Sequence, residues 1–159
     1  MTQENLLDAV VDDLRAVFAH TTLTNSMGAS RAVQVYRQNL PFRVGTDEEP
    51  KEEEPPEPYV LVRLYQGELP APDTRQKVDV VLTICVTDPD PNRQGYRDAL
   101  HIVNTILTHY GANNIVARRY EVQYPIRWAA QEDDSHPYYF AAMALNFEAP
   151  AIFKEVPNT

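Results

Sequence analysis

Apolar residues recur every three or four positions at the start of the chain: Leu6, Leu7, Val10, Val11, Leu14, Val17 and Phe18. That period predicts an amphipathic helix over roughly 4–19, with Asp8, Asp12 and Arg15 on its wet face. TTLTNSMGAS (21–30) reads as turn material, and beyond it the period changes to two. In AVQVYRQ (32–38), Val33, Val35 and Arg37 alternate against Ala32, Gln34 and Tyr36, which predicts a strand ending before Pro41. YVLVRLY (59–65) predicts a second strand. VDVVLTICV (78–86) carries the clearest strand pattern: Val78, Val80, Leu82, Ile84 and Val86 make one wholly apolar face, and Asp79, Val81, Thr83 and Cys85 a mixed one.

After Asn92 the helical period returns in Tyr96, Ala99, Leu100, Val103, Ile106, Leu107 and Tyr110, with a left-handed cap expected at Gly111. RYEVQYPIRW (119–128) then alternates Tyr120, Val122, Tyr124, Ile126 and Trp128 against Arg119, Glu121, Gln123 and Arg127. Pro125 falls on the polar parity and predicts an edge or a bulge. YYFAAMALNF (138–147) predicts the last strand. This order implies an α+β fold: a mixed, largely antiparallel β-sheet of about five strands with two packed α-helices, and a long acidic loop between strands 1 and 2. With 43% hydrophobic residues in 159, one core suffices, so a single domain over 1–159 is expected, its core spanning about 4–150 and a short tail 151–159.

Charge changes this picture at one place. Residues 46–58, TDEEPKEEEPPEP, hold Asp47, Glu48, Glu49, Glu52, Glu53, Glu54 and Glu57 against one lysine, a net of −6 out of the chain's −9. The remainder carries only −3. Proline and like charge bury no surface, so a solvated excursion facing either a lumen or the exterior is expected. No basic stripe interleaved with aromatics is present, which argues against specific nucleic-acid binding. Acidic residues at the N-terminus and the lack of any long apolar run predict a soluble protein without a membrane partner, made in a cytoplasm. Cys85, the single cysteine, has no internal disulfide partner and reads as a small buried hydrophobe.

DPDPNRQGYRD (88–98) is the stretch that most resembles chemistry. A calcium loop starting at Asp88 would need glycine at its sixth position and a carboxylate at its twelfth; Arg93 and Ala99 stand there instead. The same residues suit a strand-to-helix junction in which Pro89 ends the strand, Asp90 caps the helix and Pro91 opens it. His101 and His109 sit about 12 Å apart along one helix, too far to share a metal. No motif for nucleotide, zinc or serine chemistry occurs, so no cofactor, catalytic residue or metal site is expected. The one enzymatic alternative is a small metal-dependent hydrolase built on Asp79, Asp88 and Asp90.

Several segments together resemble one family. VYRQNLP before the acidic segment, PYVLVRLY after it, VDVVLTICVTDPDPNRQGYRDALHIVNTI and PYYFAAMALNFEAP are similar to tail terminator (tail completion) proteins of long-tailed bacteriophages and related prophages. The likeness covers about 30–150. It implies a structural protein of the virion, assembled in the host cytoplasm into a hexameric ring. Such a ring lies at the head-proximal end of the tail, caps the tail tube, stops its growth and meets a head connector or stopper protein. DNA passes through it without specific binding, and the family has no activity or cofactor to carry over. The flat polar row Arg119, Glu121, Gln123 and Arg127 is the expected ring contact. A head-completion or stopper protein of the neck is the alternative with the same ring logic.

Overall fold

The computed structural model describes residues 2–41 and 54–151. Its first helix, α1 (Thr2–Phe18), buries Leu6, Leu7, Val10, Val11, Leu14 and Phe18 in one stripe, as the spacing predicts. Where turn alone was expected, a small hairpin forms from β1 (Thr22–Thr24) and β2 (Ser30–Ala32). The Asn25 carboxamide oxygen closes it by accepting the N–H groups of Met27 and Ala29, and Gly28 supplies the left-handed φ of 81° that the turn requires.

The main sheet has six strands, one more than expected: β3 (Gln34–Arg37), β4 (Tyr59–Glu68), β5 (Gln76–Thr87), β6 (Ile115–Val116), β7 (Tyr120–Ala130) and β8 (Tyr138–Ala149). The extra one, β6, is a two-residue stub with no periodicity to read. Spatial order is β3-β4-β5-β8-β7-β6; β3 lies parallel to β4 and every other pair is antiparallel. The fold is therefore α+β with a mixed, largely antiparallel sheet. Both α1 and α2 (Tyr96–Ala112) pack on the same face of it, over Val60, Val62, Val80, Leu82, Ile84, Met143, Leu145 and Phe147, all nearly inaccessible to solvent. Fully burying an aliphatic side chain of this kind contributes about 1.5–3 kcal/mol, so this one layer carries most of the stability.

The junction after β5 is built differently from the expected cap. Helix α2 starts at Tyr96 behind Gly95, with no side-chain cap, so Asp90 is not its N-cap and Pro91 not its first residue. Asp88, Asp90 and Asn92 instead make three successive turns, each side-chain oxygen accepting the N–H two residues on: Asp90, Asn92 and Gln94, at 3.0, 3.0 and 3.1 Å. Arg93 at φ 57° lies in the left-handed region, which keeps helical geometry from running back past it. The alternate spacing of those three residues is this staircase. Because the bonds are exposed, Asp90→Ala should cost about 0.5–1 kcal/mol in denaturant unfolding. A loss above about 2 kcal/mol would show that the carboxylate holds something more than its own turn. At the other end α2 runs through Gly111, which has no positive φ, and stops at an extended Asn113.

Candidate assembly surface

The face of the sheet opposite the helices has no described element over its centre. Its residues fall in rows across four strands, each read from strand register. One row is Leu61, Thr83, Ala142 and Ala129; the next is Arg63, Val81, Ala144 and Arg127; the third is Gln66, Asp79, Asn146 and Gln123. A fourth row at the rim holds Glu68, Lys77, Glu148 and Glu121. Small side chains thus form a flat centre with charge around it. Gln123 and Arg127 keep the same parity, and the bulge between them, at Pro125, fits four steps of β7 against two of β8.

Three of the four residues expected to make the ring contact therefore meet here: Glu121, Gln123 and Arg127. Glu121 is engaged within the chain, since Arg75 reaches it at 3.2 Å and Glu148 at 3.5 Å. Arg119 lies outside the sheet, in the turn from β6 into β7, with its guanidinium 6.0 Å from the Tyr120 ring. Asp79, mid-strand on this face, accepts a hydrogen bond from the Gln66 amide at 3.1 Å.

The apolar parity of β7 departs from expectation. Tyr120 and Val122 are buried, but Tyr124 is 67% and Trp128 51% exposed. Helix α2 reaches over β8, β5 and only the first part of β7, so the far half of that strand has nothing to bury against. At the opposite edge Tyr65 is 69% exposed, beyond the point where β3 stops. Alternation alone could not reveal these sites, because it reports which residues share a face and not how far the covering helix extends.

One end of the open face is closed, and by an unexpected segment. Glu54 pairs with Arg31 at 3.2 Å, Arg31 also donates to the Pro55 carbonyl, and the Tyr36 hydroxyl donates to that of Pro56 at 2.9 Å. Glu57 is only 3% exposed, and its Oε1 accepts the Ser26 N–H at 3.2 Å. The solvated-loop expectation thus fails for Glu57, while Glu54 stays exposed although paired with Arg31; Asp47, Glu48, Glu49, Glu52 and Glu53 lie outside the described residues. A proline-bearing acidic segment gives no hint of this, because its anchors, Ser26, Arg31 and Tyr36, sit far upstream. Beneath it Tyr59, Leu61 and Cys85 form a second small cluster with Tyr36 and Phe140. Burial pushes the Cys85 thiol up to about 12, so it stays protonated and a poor nucleophile at neutral pH.

Other candidate chemistry is dispersed. Asp79 lies within β5 and Asp88 just past its end, nine positions or about 30 Å apart, so the three carboxylates of the hydrolase alternative do not converge. Asp98 is held above the usual carboxylate range by burial and then by the like charge of Asp88. Asp134 is held below it, by the His136 N–H first and then by Arg93. His109 meets Asp13 at 2.8 Å, tying the two helices together, and His136 meets the Tyr139 hydroxyl at 2.9 Å. Among the described residues no three His, Cys, Asp or Glu side chains group as metal ligands, and no helix is long and apolar enough to cross a membrane. The chain matches no protein-family model and no curated protein sequence.

Proposed function

We propose that this chain is the subunit of a phage tail terminator, a closed ring of six copies that caps the tail tube, ends its growth and joins tail to head. The observation that carries the reading is the pair of bare sheet edges. Tyr65 on one side and Tyr124 with Trp128 on the other expose large aromatics at opposite flanks of one sheet. A ring needs two different surfaces on each subunit, because a head-to-tail contact is what closes into a circle. Exposed aromatics next to a flat, charge-rimmed face are also the composition that protein interfaces favour. The segments that resemble tail terminators supply the number six and the partners: a tail tube protein on one side and a head connector or stopper protein on the other.

Charge fits the same role. Six copies at −9 carry −54, so association rests on apolar and paired contacts that outweigh repulsion. In a conduit for DNA that charge disfavours adhesion of the passing phosphate backbone, so the genome moves through without specific binding. The protein then resides in the virion at the head-proximal end of the tail, with no cofactor and no catalytic step. The test is genetic and visual. In a phage encoding this chain, deletion of its gene should give overlong tails that fail to join heads, and electron microscopy of tails should show a six-fold ring at the head-proximal end. Tails of normal length after deletion would remove the terminator assignment. Normal tails lacking only head attachment would favour a stopper protein of the neck.

A further inference from the structure

Each outer edge of the main sheet is covered along part of its length only. Strand β3 pairs with Tyr59–Val62 of β4 and stops; the Gln38 side chain takes the Leu64 N–H at 3.0 Å, and beyond it 65–68 run on with no neighbouring strand among the described residues. Stub β6 pairs with Tyr120 and Glu121 of β7, and 124–130 run on bare in the same way. A bare strand presents unpaired N–H and C=O groups that template pairing with another chain unless charge, proline or twist blunts them. We propose that the bare half of β7 in one copy pairs antiparallel with the bare half of β4 in the next, so that the sheet continues from subunit to subunit. This rests on the ring reading and names its contact.

Strand direction supports the pairing. Strand β4 is antiparallel to β5, β5 to β8 and β8 to β7, so β4 and β7 run in opposite directions. Two copies side by side with the same face outward therefore bring β7 against β4 antiparallel, with no need to turn either copy over. The covered parts also interlock. Both β3 and β6 flank the N-terminal parts of their strands, which lie at opposite ends of an antiparallel pair, so neither stub obstructs the contact.

Side chains select the register. Arg127 and Glu68 both stand on the open face, and neither has an ion-pair partner among the described residues. Set opposite each other across the contact they form an ion pair, whereas the unstaggered register would set Arg127 against Arg63, like charge against like. In this register Trp128 lies over Gly67, where a Cβ would come 2.8 Å from the Lys77 carbonyl oxygen. The glycine is thus required by its own strand pairing and leaves an open floor for an aromatic ring, a known device for stabilising edge glycines.

Within one copy Arg127 shares its row with Arg63, level with Val81, whereas Glu68 is level with Lys77, so the register staggers successive copies by four positions. Four residues of about 3.3 Å over four strands of about 4.8 Å correspond to a tilt of about 35°. Sheets that close on themselves need such a stagger, with strands typically tilted about 35–45°. The proposed contact therefore carries the stagger that a closed sheet requires.

Sedimentation velocity on the purified chain tests this, with Trp128, the only tryptophan, as a second readout. Glu68→Arg and Arg127→Glu should each weaken self-association about tenfold, and the two combined should restore it. Trp128 emission should move to shorter wavelength on association in the wild type and the combined variant, and stay put in the single ones. Far-ultraviolet circular dichroism checks that every variant is folded. Single variants that associate like the wild type, or a combination that restores nothing, would overturn the edge contact while leaving the ring reading to stand on the tail-length result. A wild-type chain that stays monomeric up to about 1 mM, where binding is worth only about 4 kcal/mol, would overturn it too.

Discussion

Leu82→Ala is expected to lose about 2–5 kcal/mol of folding stability, whereas Thr83→Ala, one residue on, should change it by less than about 0.5 kcal/mol. Leu82 is inaccessible to solvent at the centre of β5, between Val62 and Met143 in the same row and beneath the helices. Removing its isobutyl group leaves a cavity that neighbours fixed in two strands cannot collapse to fill. Thr83 points the other way, onto the open face between Leu61 and Ala142, and its loss exposes almost nothing new. Equilibrium unfolding in urea reads both from the shift in midpoint at unchanged slope. Equal losses at the two positions would mean that the open face is packed as tightly as the core, and the surface assigned to assembly would be gone.

The contrast between adjacent residues is what alternation makes legible in a sequence. Val78, Val80, Leu82, Ile84 and Val86 define a buried side by alternation alone, and register then assigns every partner strand its inner and outer residues. Both helices and all five longer strands of the main sheet follow from period alone, because each buries a stripe or a parity against one common layer. What periodicity cannot reach depends on distance along that layer. Tyr124 and Trp128 have the same parity as Val122, yet α2 ends its cover before reaching them. The start of α2 was equally hidden. Asp90 and Pro91 satisfy every rule for a helix opening, but the chain uses Asp88, Asp90 and Asn92 to satisfy successive backbone N–H groups locally and delays the helix to Tyr96.

The same logic links the fold to its proposed role. A sheet with both helices on one side concentrates its stability there and leaves the centre of the other face and part of each edge uncovered by described elements. The polar row on β7 was legible as a surface, although Glu121 turns out to be held by Arg75 and Arg119 to lie off the sheet. In the proposed contact, the residues that would decide between a lone subunit and a ring lie along the edges instead. Whether a strand is an edge strand is set by the order in which strands pair, here β3-β4-β5-β8-β7-β6, and no local pattern records that order.

Replacing Glu54–Glu57 by Gly-Ser-Gly-Ser, with everything before it unchanged, should destabilise the protein by about 3 kcal/mol. Three ties contribute. The buried Glu57 carboxylate accepts the Ser26 N–H, so its loss removes a hydrogen bond to a charged group, at about 1.5–3 kcal/mol. Pro55 and Pro56 present their carbonyls to Arg31 and Tyr36 from a backbone already restricted in φ; glycine and serine keep the carbonyls but must lose far more freedom to hold them there. The exposed Arg31–Glu54 pair adds at most about 1 kcal/mol. Glu57→Ala alone should show the first contribution, and Glu54→Gln should be close to neutral. The replaced segment also covers Tyr59, Cys85 and Phe140, so Cys85 should become reactive toward thiol reagents in the native state of the fourfold variant. Stability within about 0.5 kcal/mol of the parent, with Cys85 still protected, would restore the reading of the entire acidic stretch as a solvated loop.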